Sequence, residues 1–278
     1  MTVVSVVIPV FNTEPTLLRE ALDSVRGQTV PNVEIVVVDD GSKNHDTIDF
    51  LARQHDIRLV RQENKGVAGA LNRGISHASG EFIVTMGSDD RINTEYVEKC
   101  LSVMRSGQAR IVHTDHRDFG TRDEQHRAQD VVGISDLIHT NKFVAGAMFR
   151  RSDWQALGGF DESLRVGYED WEWWVRILAT GGFSVRAEGA MYEYRRLERQ
   201  TESTRDSHRD NLAATRTAML GNTDPAVLLH ATWQALDEIS DERDMLKKLV
   251  QKPSKLRRIV DLAESMRSGR RRQGNRAR

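Results

Sequence analysis

The sequence predicts an α/β protein: a mostly parallel sheet flanked by helices, followed by a C-terminal helical extension. Three observations lead there. Short Val- and Ile-rich runs alternate with helix-like segments over about the first 110 residues, the pattern of a parallel sheet with right-handed crossovers. Two of these runs, VEIVVVDD up to Asp40 and EFIVTMGSDD up to Asp90, are apolar on both faces, as strands covered by helices on each side should be. Both end in paired aspartates, and in open α/β sheets ligands bind beyond the carboxyl ends of the strands. Two unshielded carboxylates about 4 Å apart repel by roughly 4 kcal/mol at an effective dielectric of about 20. A convergent pair therefore needs a cation or hydrogen-bond donors, which points to metal and nucleotide chemistry.

The elements follow in order. Residues 3–10 read as the first strand. Residues 16–25 form a helix with Pro15 near its first turn, where a missing N–H costs little. Strands at 33–38 and 57–60 enclose a helix at 46–54. A helix at 66–78, ended by Gly80, leads to a strand at 82–86. A helix at 93–105 precedes a strand at 110–113. Residues 117–130 are polar without a period and read as a mobile loop or a hairpin. An apolar segment at 142–149 and a Gly158-Gly159 turn precede a helix at 169–178. That helix carries Trp171, Trp174, Val175 and Leu178 at i, i+3, i+4 and i+7, and Gly181 marks its end. Strands at 183–187 and 191–194 complete the core. Beyond residue 205 the chain reads as helical. Leu229, Trp233, Leu236, Ile239, Leu246 and Val250 form an apolar stripe, expected to pack on the body or against a second subunit.

Composition narrows the function classes. With 278 residues and 38% hydrophobic content the chain can bury a real core. Its one cysteine, Cys100, cannot form an internal disulfide, which fits a reducing compartment; it reads as a buried helix residue. No run reaches the roughly 18–20 apolar residues of a membrane span, and strand-type sequence begins at once, without a basic leader and cleavage site. The expectation is a cytoplasmic protein. The formal charge of −1 is uneven: from Lys252 onward ten basic residues face only Asp261 and Glu264, a net of +8, which leaves −9 for the remainder. Leu256, Ile259, Val260, Ala263 and Met266 give the basic segment one apolar face, the pattern of an interfacial membrane helix. Peripheral contact with the inner face of a membrane is the corresponding expectation. No nucleic-acid partner is expected, because the basic tail has no interleaved aromatics and no binding motif.

Six segments in order then carry a family resemblance: SVVIPVFN (5–12), VEIVVVDDGS (33–42), ENKGVAGALNRGI (63–75), GEFIVTMGSDD (80–90), GGFDE (158–162) and YEDWEWW (168–174). Over roughly residues 3–200 the chain resembles a family-two glycosyltransferase of the GT-A fold, a Rossmann-like architecture. The resemblance implies a catalytic domain at 1–204, with a nucleotide-binding half to about 115 and an acceptor half at 116–204. A helical extension at 205–251 and a basic helix and tail at 252–278 follow.

The same resemblance implies an inverting enzyme using a UDP-sugar, or as second choice a dTDP-sugar, on a saccharide or lipid-linked acceptor. By position, Pro9 and Phe11 line the base pocket, Asp40 accepts from the ring imide N–H, and Lys65 reaches a phosphate or the base. Ser88 and Asp89 hold the ribose and a divalent metal, Mg or Mn, with Asp89 its ligand. Asp170 is the candidate general base; Glu169, Asp161 and Trp173 are the acceptor-side candidates. Asp39 reads as a turn or capping residue, and Asp90 as a helix cap or an acid supporting the metal ligand from behind. Three positions depart from the family pattern. Leu71 stands where arginine is usual, Gly87 replaces the first acid of the metal motif, and Leu197 lies where many relatives place a histidine. Arg195, Arg196 or Arg199 are the candidates to neutralise phosphate instead. The rival readings are a catalytically inactive nucleotide-sugar-binding or scaffold protein, and a nucleotidyltransferase of similar fold, whose glycine-rich phosphate loop IPVFNTEP does not provide. A homo-oligomer is the expectation only where the apolar stripe packs against a second subunit rather than on the body.

Overall fold

The computed structural model describes residues 3–107, 109–165, 167–197 and 200–250, and the side chains of all of these except 200–210 and 243–250. In chain order the elements are β1 (Val4–Val10), α1 (Pro15–Arg26), β2 (Glu34–Asp40), α2 (His45–Ala52), β3 (Arg58–Gln62), α3 (Gly66–His77), β4 (Phe82–Thr85), β5 (Arg91–Ile92) and α4 (Tyr96–Arg105). These are followed by β6 (Ile111–Gly120), β7 (Glu124–His126), β8 (Val131–Val132), α5 (Ile134–Leu137), β9 (Met148–Arg150), α6 (Arg151–Leu157), α7 (Glu169–Ala179), β10 (Ser184–Arg196), α8 (Gln200–Asn222) and α9 (Pro225–Val250).

All but two strands line up in the order β3-β2-β1-β4-β9-β6-β10-β5, with β7 on β6 and β8 on β10. The half of the sheet formed by β3, β2, β1 and β4 is parallel throughout. In the other half β6 and β10 run parallel while β9, β5, β7 and β8 pair antiparallel. Successive residues point to opposite faces of a strand. Val4, Val6 and Ile8 accordingly enter one core with α1, α2 and α4, while Val7, Val36, Val38 and Ile83 enter a second with α3 and α7. The doubly apolar runs of the sequence are thus explained by helices on both faces.

The second half of the sheet departs most from the sequence-based expectation. β6 continues far past residue 113, and the polar stretch after it folds back as the β6–β7 hairpin. The two strands expected at 183–187 and 191–194 are one, β10, whose register on β6 shifts between Arg186 and Met191 around Gly189, with φ +82°. Gly158 adopts φ +79° and closes α6 in the left-handed conformation that glycine takes at helix ends.

The chain divides into two compact units, Met1–Leu229 and His230–Arg278. Within the first, α8 is tied to α7: Met219 joins the α7-side core, and Asn222 Nδ2 donates to Glu172 Oε1 at 3.0 Å. On α9 the side chains of Leu229, Trp233, Leu236 and Ile239 are exposed. Leu246, Val250 and the basic segment from Lys252 lie outside the residues whose side chains are described. Among the described residues, no helix is long and apolar enough to cross a membrane.

Candidate active site

The carboxyl ends of β1, β2 and β4 meet at one edge, where short polar side chains hold the turns together. Asn12, at φ +53°, accepts from Lys43 N–H and Asn44 N–H at 2.7 and 2.9 Å through Oδ1, fixing the end of β1 to the turn after β2. Thr13 and Ser88 share a hydroxyl hydrogen bond of 2.7 Å. β1 is thereby also tied to the loop after β4.

Beside this edge opens a cleft of about 290 Å³. Among the residues lining it are five of the predicted ligand-contacting and catalytic residues, Pro9, Ser88, Asp89, Glu169 and Asp170. Asp90, Gly87 and Leu71 also border it, and Val67, Thr85, Met86, Ala145 and Tyr194 complete its walls. Leu71 therefore presents an apolar wall where the family pattern has arginine.

The paired aspartates of the 80–90 segment have separate tasks. Asp90 is buried, its Oδ2 accepting from Tyr192 Oη at 2.6 Å and its Oδ1 from Arg195 N–H at 2.8 Å. Burial, with the nearby charge of Asp89, pushes its carboxyl up to about 6 despite those two donors. Asp89 faces the cleft, and its carboxyl is pushed up by burial, opposed by its own backbone N–H and by the charge of Arg195. A desolvated carboxylate at the mouth of a ligand cleft fits a hard divalent cation, which takes one or two carboxylates and completes its shell with water and substrate oxygens. Gly87 has no side chain to supply a second, and a Cβ added there would lie 2.4 Å from Asp90 Oδ2.

Glu169 and Asp170 open α7, where acidic groups are favoured by the helix dipole. Tyr168, at φ +65°, turns the chain sharply into the helix. Asp170 Oδ1 accepts from Trp171 N–H at 2.7 Å, and Oδ2 from Asn141 Nδ2 at 3.2 Å. Burial pushes both carboxyls up, and the charge of Asp170 raises Glu169 further. Glu169 Oε2 is buried without a hydrogen-bond partner. Nothing around Asn141 in the sequence marks it as a partner of Asp170; it lies in an irregular segment between α5 and β9.

The remaining sequence candidates lie elsewhere. Asp40 is buried under three donors, with Gln62 Nε2 at 2.7 Å and Lys65 N–H at 2.9 Å on Oδ1 and Gly66 N–H at 2.9 Å on Oδ2. It anchors the start of α3, and with about four acceptor positions on a carboxylate it retains about one for a ligand. Lys65 is exposed, and Phe11 shows 51% of its surface. None of the three lines the cleft.

Trp173 is corrected outright: it is fully buried, edge-on to Phe149 and 5.1 Å from the Phe160 ring, with the Arg176 guanidinium over its face. No acceptor reaches it. Asp161 does not line the cleft either; its oxygens accept from Ser163 N–H at 2.9 Å and from Asn222 Nδ2 at 2.8 Å, a turn and a tie to α8. Arg195 donates to the Asp89 carbonyl at 2.7 Å and to Glu20 at 2.6 Å, and Arg196 pairs with Asp118 at 3.0 Å. Both arginines are occupied within the fold, and Arg199 is outside the described residues.

The family model for glycosyl transferase family 2 matches residues 5–161. The chain belongs to that family. An uncharacterized glycosyltransferase of Rickettsia typhi is 29% identical over 192 residues, covering 63% of this chain and 58% of that protein. Glycosyltransferase GlyA of Streptococcus pneumoniae is 37% identical over 119 residues, 42% of this chain and 17% of its own. The chain thus spans less than two thirds of these family-2 relatives. Among solved structures, residues 1–349 of Staphylococcus aureus TarS in complex with UDP-GlcNAc superpose with a TM-score of 0.65 at 19% identity, covering 84% of this chain and 72% of that one. The likeness establishes the GT-A fold of the family: a central sheet flanked by helices, with a helical extension.

One group of metal-ligand type exists among the described residues outside this cleft. His116, Asp118 and His126 offer ligand atoms that all lie within 4.8 Å of one another, and none of the three lines the cleft.

Proposed function

We propose that the chain is an inverting glycosyltransferase that moves a sugar from a UDP-sugar, with a dTDP-sugar as second choice, to a saccharide or lipid-linked hydroxyl. The observation that carries the reading is the single cleft lined by Asp89 from the β4 end and by Glu169 and Asp170 from the start of α7. A group that handles the diphosphate and a group that handles a proton are thereby within one space. The UDP and UDP-GlcNAc complexes of TarS support uridine as the base. The remaining acceptor position of Asp40, beside the exposed ring of Phe11, supports imide recognition.

In this reading Asp170 takes the proton of the acceptor hydroxyl as its oxygen attacks the anomeric carbon from the face opposite the diphosphate. Trp171 N–H and Asn141 hold the carboxylate in place, and burial keeps it basic enough to accept a proton. Asp89 would hold Mg or Mn, which supplies charge neutralisation for the departing diphosphate. Ser88, tied to Thr13, borders the ribose side. The acceptor enters past Glu169 and Tyr194, the cleft residues on the α7 and β10 side. The basic segment from Lys252 would bring the protein to an anionic membrane surface at the cytoplasmic face, and the exposed stripe of α9 is the candidate contact of a homo-oligomer.

The test is a panel of UDP-, dTDP- and GDP-sugars with Mg²⁺ or Mn²⁺, read as release of nucleoside diphosphate. Metal-dependent release of UDP is expected. Turnover with GDP-sugars alone overturns the base assignment, and no turnover with any donor overturns the activity.

A further inference from the structure

We propose that His116, Asp118 and His126 form a second metal site, for a borderline divalent ion such as Zn²⁺, on the β6–β7 hairpin. His116 and His126 stand directly opposite each other in the antiparallel register, their rings stacked at 4.5 Å between centroids. Asp118 lies two residues along β6, hence on the same face. It is 1% exposed; Oδ2 accepts from Arg196 Nε at 3.0 Å and has His126 Nε2 at 3.8 Å, while Oδ1 is buried with no partner. A buried carboxylate oxygen left unpaired is rare in folded proteins. Here it belongs to a carboxylate whose other oxygen lies 3.8 Å from His126 Nε2, beside the two stacked imidazoles.

Two imidazole nitrogens and one carboxylate oxygen suit zinc and its neighbours in the first transition row, and not the hard Mg²⁺ of a diphosphate site. The ligand atoms span up to 4.8 Å, so binding at the usual distance of about 2 Å draws them inward by roughly 1 Å. His126, with 36% of its side chain exposed, has room to turn. Arg196 keeps Oδ2 and orients the carboxylate, the outer partner that metal-bound carboxylates usually have. The ion would fasten β7 to β6, and through Asp118 and Arg196 to β10, whose Tyr194 lines the donor cleft. It is separate from Asp89, which shares no ligand with it.

The experiment titrates the chelator-treated full chain with Co²⁺, followed by visible absorption, and with Zn²⁺, followed by calorimetry. One equivalent of each is expected, with Zn²⁺ displacing Co²⁺ and Mg²⁺ displacing neither. His126→Ala, at a half-exposed hairpin position, should raise the dissociation constant about 100-fold or more, with His126→Gln as the second variant should the first lose its circular dichroism. Asp89→Asn should bind as the wild type. Absence of binding, or binding that neither His126 variant weakens, overturns the site.

Discussion

Tyr192 Oη donates to Asp90 Oδ2 at 2.6 Å across 102 positions of sequence and accepts from Gly87 N–H at 3.0 Å. The space that the first acid of the metal motif would occupy is therefore filled by the Asp90 carboxylate. Restoring that acid as Gly87→Asp should not strengthen metal binding. The new Cβ would meet Asp90 Oδ2 at 2.4 Å, a clash of the kind that costs about 1–3 kcal/mol, and its charge would add to those of Asp89 and Asp90. A lower melting temperature with no tighter Mn²⁺ binding is the expected result. A tighter site at unchanged stability would show that Asp90 moves aside freely.

Asp170→Asn keeps an oxygen for Trp171 N–H but has no carboxylate to accept a proton. The rate of transfer should fall by about 10²–10⁴-fold, while calorimetric affinity for the donor nucleotide stays within a factor of about two. Equal losses in rate and donor affinity would assign Asp170 to binding rather than to the proton.

The pH dependence follows from the same residue. A base works only when ionised, and burial raises the Asp170 carboxyl above its ordinary value. Activity should therefore fall as pH drops through this raised value, giving an acid limb in kcat/KM above the ordinary aspartate range near about 3.9. The charge of Asp170 in turn raises its neighbour Glu169, so the two titrate as linked groups. A profile flat down to about pH 4 would exclude a buried carboxylate as base, and the residual activity of Asp170→Asn should lack the limb.

The sequence discloses the first half of the fold more fully than the second, for a physical reason. Where both faces of a strand are buried, as in β1 and β2, the apolar run itself marks the strand and its end. β6 continues through HTDHRDFG because ion pairs, not apolar contacts, cover its far end: Asp115 with Arg186 and Asp118 with Arg196. Those pairings join residues some seventy or more positions apart and leave no local period. The site follows the same division. Asp89 and Asp170 sit at element ends and can be read from motifs, whereas Tyr194 reaches the cleft, and Asn141 reaches Asp170, by tertiary placement alone.

Trp173 shows the limit of periodicity. α7 is covered on every side: Trp171, Trp173, Trp174 and Ile177 are buried, and so are Glu172 and Arg176, paired at 2.9 Å. The apolar stripe Trp171, Trp174, Val175 and Leu178 therefore marks only part of the buried surface, and Trp173, off that stripe, is buried as well. Since its Nε1 has no hydrogen-bond partner, Trp173→Phe loses only packing and the Arg176 contact. It should cost about 1–3 kcal/mol in urea unfolding and leave the acceptor KM unchanged; a raised KM at full stability would return Trp173 to the acceptor side.

Asn72 offers a sharper test of how the two halves of the first unit are joined. From α3 its Oδ1 accepts from Trp154 Nε1 at 2.9 Å and Phe160 N–H at 2.8 Å, and its Nδ2 donates to the Phe160 carbonyl at 2.9 Å and to Glu162 at 3.0 Å. Gly159, at φ +80°, admits this close approach, since a Cβ there would lie 2.4 Å from Asn72 Oδ1. Asn72→Ala would strand an indole N–H and a backbone N–H together. Each abandoned donor costs about 1–3 kcal/mol, so a loss of about 2–6 kcal/mol is expected by denaturant titration. The loss should exceed that of Ser76→Ala, whose hydroxyl bonds only within its own helix and to the neighbouring His77. Equal effects of the two would mean that water replaces Asn72, and that the GGFDE turn holds its shape without it.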